Sequence, residues 1–361
     1  MKKYLLMVVV LVLILASGCS SQAADVPESR DVQESPIEEP VTEEVEEQVQ
    51  EIPVIFDPIE QIDLSLKPNE LGEIMIIMYH GIGSEESTWQ RTPDNFRKDL
   101  QYMYDNKYQM ISLNDYARGE INTKAGYTPI ILTFDDGRQN NFNYIEKDGE
   151  QIIDPDSAVG VMEEFKEKYP DFQVTASFFL GTNPFGQQEY AEKKLIWLVE
   201  NGYTIGNHTY SHNKLETLDS DEITAEIGSV NNIIMTYLPD YSVETLALPH
   251  GSNPKDEFIL SMLEGEYEGN KYKNIAVLDV GWRPAYSPFD TLTDFTSLYR
   301  VTGSEINVDN CGIYDYFKSY ENNTRERFIS DGNPNVVTIP KKHESYLNMN
   351  MVGDKLVNIY E

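Results

Sequence analysis

Two short stretches carry the residue types that a hydrolytic centre needs. The first, Ile130-Ile131-Leu132-Thr133-Phe134-Asp135-Asp136-Gly137, is an apolar run that ends in two acids and a glycine. It predicts a buried strand. In α/β folds catalytic groups gather where the carboxyl ends of parallel strands meet their loops. Two neighbouring carboxylates at such an end can divide the labour, one holding a metal ion and the other free as a base. The second stretch, Asn207-His208-Thr209-Tyr210-Ser211-His212, sets two imidazoles four residues apart. On a helical turn or in a tight loop that spacing points both rings the same way. Two of the chain's five histidines fall in this one pentad. Two His and one Asp make a three-ligand catalytic site for a divalent ion, with positions left open for water and substrate. Each stretch alone has an ordinary reading: an Asp-Gly turn after a strand, or a histidine pair on a surface helix.

The elements that must position these residues alternate. Ile74 to Met78 reads as a strand ending at His80. Thr92-Pro93 opens a helix toward Asn106, with Phe96, Leu100, Met103 and Tyr104 on one face. Met110 to Leu113 reads as a second strand, followed by a short helix. After the Asp135-Asp136 strand come another strand, Val174 to Leu180, and a helix from Glu192 to Asn201. Gly202 stops that helix, and a short strand then feeds the histidine loop. Between them, residues 140–156 predict a hairpin turning at Lys147-Asp148-Gly149, placed to overhang the site or to serve as a structural flap. The strand-then-helix order argues for a parallel sheet, closed or nearly closed into a barrel.

Thr133-Phe134-Asp135-Asp136-Gly137 and His208-Thr209-Tyr210-Ser211-His212 resemble the first two motifs of the polysaccharide deacetylases, carbohydrate esterase family four. Ile77-Met78-Tyr79-His80-Gly81-Ile82 resembles the first-strand signature of a bacterial branch of that family. The resemblance runs from about Glu73 to about Pro340. It implies an α/β fold of the distorted (β/α)7 barrel type. It makes Asp136, His208 and His212 the ligands of a divalent metal, expected to be Zn2+, and Asp135 the general base. Ala247-Leu248-Pro249-His250-Gly251 stands where the family's third motif falls. The backbone N–H of His250 then faces the oxyanion. The family's base-orienting Arg is replaced there by Ala247, with Arg283 as the candidate substitute. Asp279 and Trp282 correspond to the fourth motif, Trp282 walling the acetyl pocket. Tyr79, His80, Pro249 and Trp282 are the expected substrate contacts. Past the fourth motif no Leu-x-His follows to give the general acid, so His343, His80 and His250 compete for that role.

The rest of the chain sets the context. Its 361 residues carry a formal charge of −33, which opposes nucleic acid and direct attachment to an anionic membrane surface. Lys2 and Lys3 precede an apolar run from Tyr4 to Ala16, and Ala16-Ser17-Gly18-Cys19 follows. This reads as a secretory signal over residues 1–19, too short to span a bilayer easily. Its end resembles a bacterial lipobox, with Leu15 one place early, and implies lipid on Cys19. Residues 20–60 hold 13 acids against Arg30 alone, and read as a disordered, extended tether. Residues 61–361 are the expected catalytic domain. Cys311 is the only other cysteine, a structural thiol with no partner once Cys19 is lipidated.

The expectation is therefore a hydrolase on the outer face of a bacterial cytoplasmic membrane, held by lipid and taken as a monomer. It removes N-acetyl groups from polysaccharide: peptidoglycan first, poly-N-acetylglucosamine second. Two other classes stay open. An O-acetyl esterase, as on acetylated xylan, would use the same ion and base. A binding lipoprotein of the same fold would not need them.

Overall fold

The computed structural model describes residues 57–361. The signal segment, Cys19 and all of the tether before Asp57 lie outside the described residues. Ile59–Gln61, at the tether's end, forms one 3-10 turn.

Seven parallel strands build a curled sheet. They are β1 (Met75–Tyr79), β2 (Thr128–Phe134), β3 (Ser177–Leu180), β4 (Thr204–Asn207), β5 (Thr245–Ala247), β6 (Ala276–Leu278) and β7 (Val301–Thr302). Their order across the sheet is β6-β5-β4-β3-β2-β1-β7, and Tyr108–Met110 adds an eighth, short strand beside β2. All these pairings are parallel, as the alternating pattern requires. The sheet is that of the (β/α)7 type, an incomplete barrel. Leu298, ahead of β7 in sequence, lies alongside β6 in a single parallel bridge to Leu278. The Leu298 N–H donates to Val277 O at 2.8 Å, and its carbonyl accepts from Asp279 N at 2.9 Å.

Because side chains alternate along a strand, each strand feeds two cores. Ile76, Ile131, Phe179, Ala247 and Leu278 belong to one buried cluster. Ile77, Leu132, Phe134, Phe178 and Leu180 belong to another, with Phe96, Leu100, Met162, Phe165 and Leu195 from the surrounding helices. Strands with both faces covered need apolar residues at nearly every position, and β2 is buried throughout.

Most predicted elements appear within a residue or two. Pro93–Asp105 is a helix with the Thr92 side chain accepting from Asn95 N. The predicted strand at Met110 to Leu113 lies earlier, at Tyr108–Met110. Ser112 instead caps the helix Leu113–Arg118 by accepting from Asp115 N at 3.0 Å. The hairpin is present as antiparallel Tyr144–Lys147 and Glu150–Ile153, with Asp148 and Gly149 at φ +54 and +83. It leans on the barrel wall: Tyr144 exchanges hydrogen bonds with Gln187, and Lys193 lies over the Tyr144 ring. Among the described residues Val336–Pro340 pairs only with Leu356–Tyr360, in a separate two-stranded sheet. Among the described residues no helix is long and apolar enough to cross a membrane.

Candidate active site

Strand register decides what meets at the carboxyl edge. Tyr79 pairs with Phe134, Phe134 with Phe178, Leu180 with Asn207, and Asn207 with Leu246. The residues next in sequence, His80, Asp135-Asp136, His208 and the turn after Ala247, therefore emerge side by side. One ligand atom each from Asp136, His208 and His212 lies within 4.8 Å of the others. His208 Nε2 is 3.3 Å and His212 Nε2 3.6 Å from the same oxygen, Asp136 Oδ1. The other oxygen, Oδ2, accepts from Arg138 Nε at 2.9 Å and Nη2 at 2.7 Å. His208 Nδ1 is 2.9 Å from Ala247 O, which fixes the ring and leaves Nε2 for an ion. That Nε2 is buried and has no hydrogen-bond partner among the described residues. A buried nitrogen left unmade is costly, and a divalent cation facing it satisfies it. The donor set therefore fits such an ion.

The loops holding these ligands carry strain. Asp136, Thr209, His212 and His250 have φ of +71, +64, +54 and +57. Non-glycine residues in the left-handed region are uncommon, and four at one edge mark a site that the surroundings force into shape. The histidine loop is pinned by Asn207 Oδ1, which accepts from Thr209 N, and by the Glu226 carboxylate, which accepts from Ser211 N.

Asp135 is buried beneath this edge, paired two-to-two with Arg300. Nη1 donates to Oδ1 and Nη2 to Oδ2, each at 2.8 Å. Burial pushes the Asp135 carboxyl up, but the Arg300 and His208 charges prevail and hold it below its ordinary value. It is ionised and oriented. The expectation that Arg283 replaces the arginine missing at Ala247 is corrected here. Arg283 pairs with Glu73 at 3.2 Å and lies over the Tyr286 ring. The charge comes from Arg300, just before β7. Its Nε donates to Asp279 O at 2.7 Å, so the guanidinium is held at both ends. Gly281 lets the chain cross here: a Cβ at that position would overlap Arg300 O at 1.5 Å.

The polysaccharide deacetylase family model matches residues 122–262. That span contains Asp135, Asp136, His208, His212 and His250. The chain carries a polysaccharide deacetylase domain. Solved structures agree on the fold. A Streptococcus pyogenes deacetylase, PplD, in complex with acetate, is 18% identical with a TM-score of 0.50, covering 68% of this chain and 97% of its own. The putative polysaccharide deacetylase BA0330 from Bacillus anthracis is 17% identical with a TM-score of 0.50, covering 68% of each chain. A Bacillus cereus polysaccharide deacetylase, BC0361, is 16% identical at the same TM-score and the same coverage.

Beyond the candidate ligands and base, the deacetylase domain distributes the expected residues unevenly. His80 stands beside the acids, its ring half-buried and its Nδ1 without a partner among the described residues. Burial lowers its pKa to about 4, against the pull of Asp135 and Asp136. His250 is exposed on the other flank, its ring 4.7 Å from that of His212. His343 is removed from the contest. It pairs with Glu326 at 2.8 Å, beside Lys342, and neighbours Asn106, Tyr108 and Tyr320 border that patch at the end where the Tyr108 strand begins. Tyr79 is not a substrate contact. Its ring stacks on Phe134 and Phe96 and its hydroxyl donates to buried Asp99. Pro249 is also buried, and shapes the turn that presents His250 instead of touching substrate. Trp282 is exposed beside Tyr299, one residue past Gly281. Asp279 keeps its carboxylate for Val280 N and Ser297 Oγ, and lends its carbonyl to Arg300.

Proposed function

We propose that this domain is a metal-dependent hydrolase that removes N-acetyl groups from a polysaccharide built on N-acetylglucosamine, with peptidoglycan first and poly-N-acetylglucosamine second. The observation that carries the reading is the joint placement of a three-ligand cluster and a separate, charged, arginine-locked carboxylate. Asp136 Oδ1, His208 Nε2 and His212 Nε2 would hold the ion. Bound there, a zinc ion supplies Lewis acidity toward the acetamide oxygen and toward water.

The chain's own groups do the rest. Asp135, kept ionised by Arg300, takes the proton from the attacking water. Arg300 fixes both carboxylate oxygens, so the basic lone pair keeps one direction. The His250 N–H, at the turn after β5, donates to the oxygen that gains charge. An amide nitrogen leaves only when protonated, and His80 is the side chain placed to do this. It follows Tyr79 as Asp135 follows the paired Phe134, and its buried Nδ1 is unclaimed among the described residues. Burial keeps His80 neutral at rest, so it can receive the proton Asp135 has collected and pass it on. An O-acetyl ester needs less of such help, because an alkoxide is the better leaving group. A binding-only role would leave the locked base without a purpose.

Acetate release decides among these readings. The zinc-loaded protein is expected to deacetylate oligomers of N-acetylglucosamine and leave free amines. Release from acetylated xylan alone would instead make it an O-acetyl esterase, and no release from either would leave the binding reading. The site on the cell follows from the sequence reading. We place the enzyme on the outer face of the membrane, lipid-anchored at Cys19 beside the wall. Cys19→Ser is expected to move the protein from the membrane fraction to the soluble one at unchanged specific activity. Retention of this variant in the membrane fraction would rule out that anchor.

A further inference from the structure

Trp89 belongs to no motif of the chain, yet its indole covers one side of His80, with ring centroids 4.7 Å apart and planes tilted by 52°. The contact is built into the backbone. Gly81, the residue after His80, donates its N–H to Trp89 O at 3.2 Å, and Gly83 N donates to Arg91 O at 2.9 Å. Trp89 O also accepts from Arg138 Nη1, at 3.4 Å, and Arg138 is the residue that grips Asp136. The indole is thus tied to the strand end carrying His80 and, through Arg138, to the carboxylate of the ligand cluster.

The loop presenting it is stiff. Arg91, almost wholly buried, donates to Asp99 through Nη2 at 2.7 Å and Nε at 2.9 Å. Tyr79 and Tyr314 hydroxyls complete the Asp99 shell. Glu86 accepts from Thr92 N and Asn95 Nδ2, both at 2.7 Å. Ser304 Oγ donates to Ser87 O, and Thr88 Oγ1 to Ile306 O. So many ties around one short loop hold the tryptophan still. Yet Trp89 keeps 43% of its surface exposed. A large aromatic residue that is fixed on one side and bare on the other, beside reacting groups, is placed to receive something.

Resting on the function proposed above, we propose that Trp89 is a specificity-determining residue. Its open surface is a platform for the pyranose ring next to the one that loses its acetyl group. A pyranose presents a face of C–H groups, and such a face packs on an indole by apolar burial and dispersion. An indole has only two rotatable bonds, already set here, so little conformational entropy is lost on binding. The platform makes the enzyme favour polymer over isolated sugar, because the neighbouring ring supplies part of the binding.

The test uses the full zinc-loaded chain, with N-acetylglucosamine tetramer and phenyl acetate as substrates. Trp89→Ala is expected to lower kcat/KM for the tetramer at least tenfold more than for phenyl acetate, mainly through KM. Trp89→Phe is expected to recover most of this difference. Equal losses on both substrates would mean that the indole only supports His80, and would overturn the proposal. So would a Phe variant as impaired as the Ala variant. Tetramer binding measured by calorimetry separates this proposal from the proposed function. A wild-type protein that binds tetramer more tightly than Trp89→Ala, yet releases no acetate, keeps the platform and refutes the activity. Equal tetramer affinity in the two proteins, or no binding by wild type, overturns the platform.

Discussion

Asp135→Asn is expected to bind zinc as the wild type does and to lose 10²- to 10⁴-fold in acetate release, the usual worth of a positioned general base. The amide keeps the shape of the carboxylate and one oxygen for Arg300, but it cannot take a proton. Asp136→Asn should behave differently, because Asp136 Oδ1 is the oxygen that both imidazoles face. That variant is expected to lose the ion and, with it, the activity. Metal content and rate measured on both variants separate base from ligand. Metal loss in Asp135→Asn with Asp136→Asn still loaded would mean the roles are exchanged. The Asp135 variant also leaves the buried Arg300 without a counter-charge, so its rate belongs at a temperature where it is shown to be folded.

Arg300→Met carries the largest expected effect on stability. The pair is out of reach of solvent, Arg300 at 0% and Asp135 at 2% exposure. Removing one partner of a buried ion pair costs about 3–5 kcal/mol, because the other charge stays buried and uncompensated. Denaturant unfolding of Arg300→Met and wild type measures it. Adding Asp135→Asn to Arg300→Met should return part of the loss, since no unpaired charge is left. The pH dependence has a definite sign. The folded Asp135 carboxyl titrates below its ordinary 3.8, so the pair's stabilisation is complete above that value and fades as pH falls through the lower folded value. Arg300→Met should lack that acid-side loss. A variant as stable as wild type would show that Arg300 contributes no net stability.

The gathering of these side chains at one edge was legible in the sequence for a physical reason. Asp135, Asp136, His208 and His212 each follow a strand of the same parallel sheet, and local spacing alone reports that. The arginine was not legible. Arg300 is 165 residues from Asp135, and nothing local marks it except its place just ahead of the short apolar run Val301-Thr302. The position where the resemblance expected an arginine, Ala247, serves the site through its carbonyl on His208 instead. Tyr79 was misread for a reason the pleat supplies. Neighbours on a strand point to opposite sides, so Tyr79 and His80 could not both face substrate. Tyr79 went to the core with Phe96 and Phe134, and His80, just past the strand end, went to the site. His343 was a candidate only because it follows a strand, and that strand belongs to another sheet. Trp89 gave no signal, because its partner His80 meets it through a parallel pairing of two short segments, Gly81–Ile82 with Gln90–Arg91, too brief to show a period.

The central claim is that one divalent ion on Asp136, His208 and His212 is needed for deacetylation. It is tested most directly by stripping the ion with a chelator and restoring zinc stepwise. Bound zinc and acetate release are followed on the same sample, for the wild type and for His208→Ala. The account predicts wild-type activity that falls to background, then returns in proportion to bound zinc and saturates at one ion per chain. It predicts a His208→Ala protein that neither holds the ion nor recovers. Full acetate release from the stripped wild type, or a fully active His208→Ala protein with stoichiometric zinc, would contradict it.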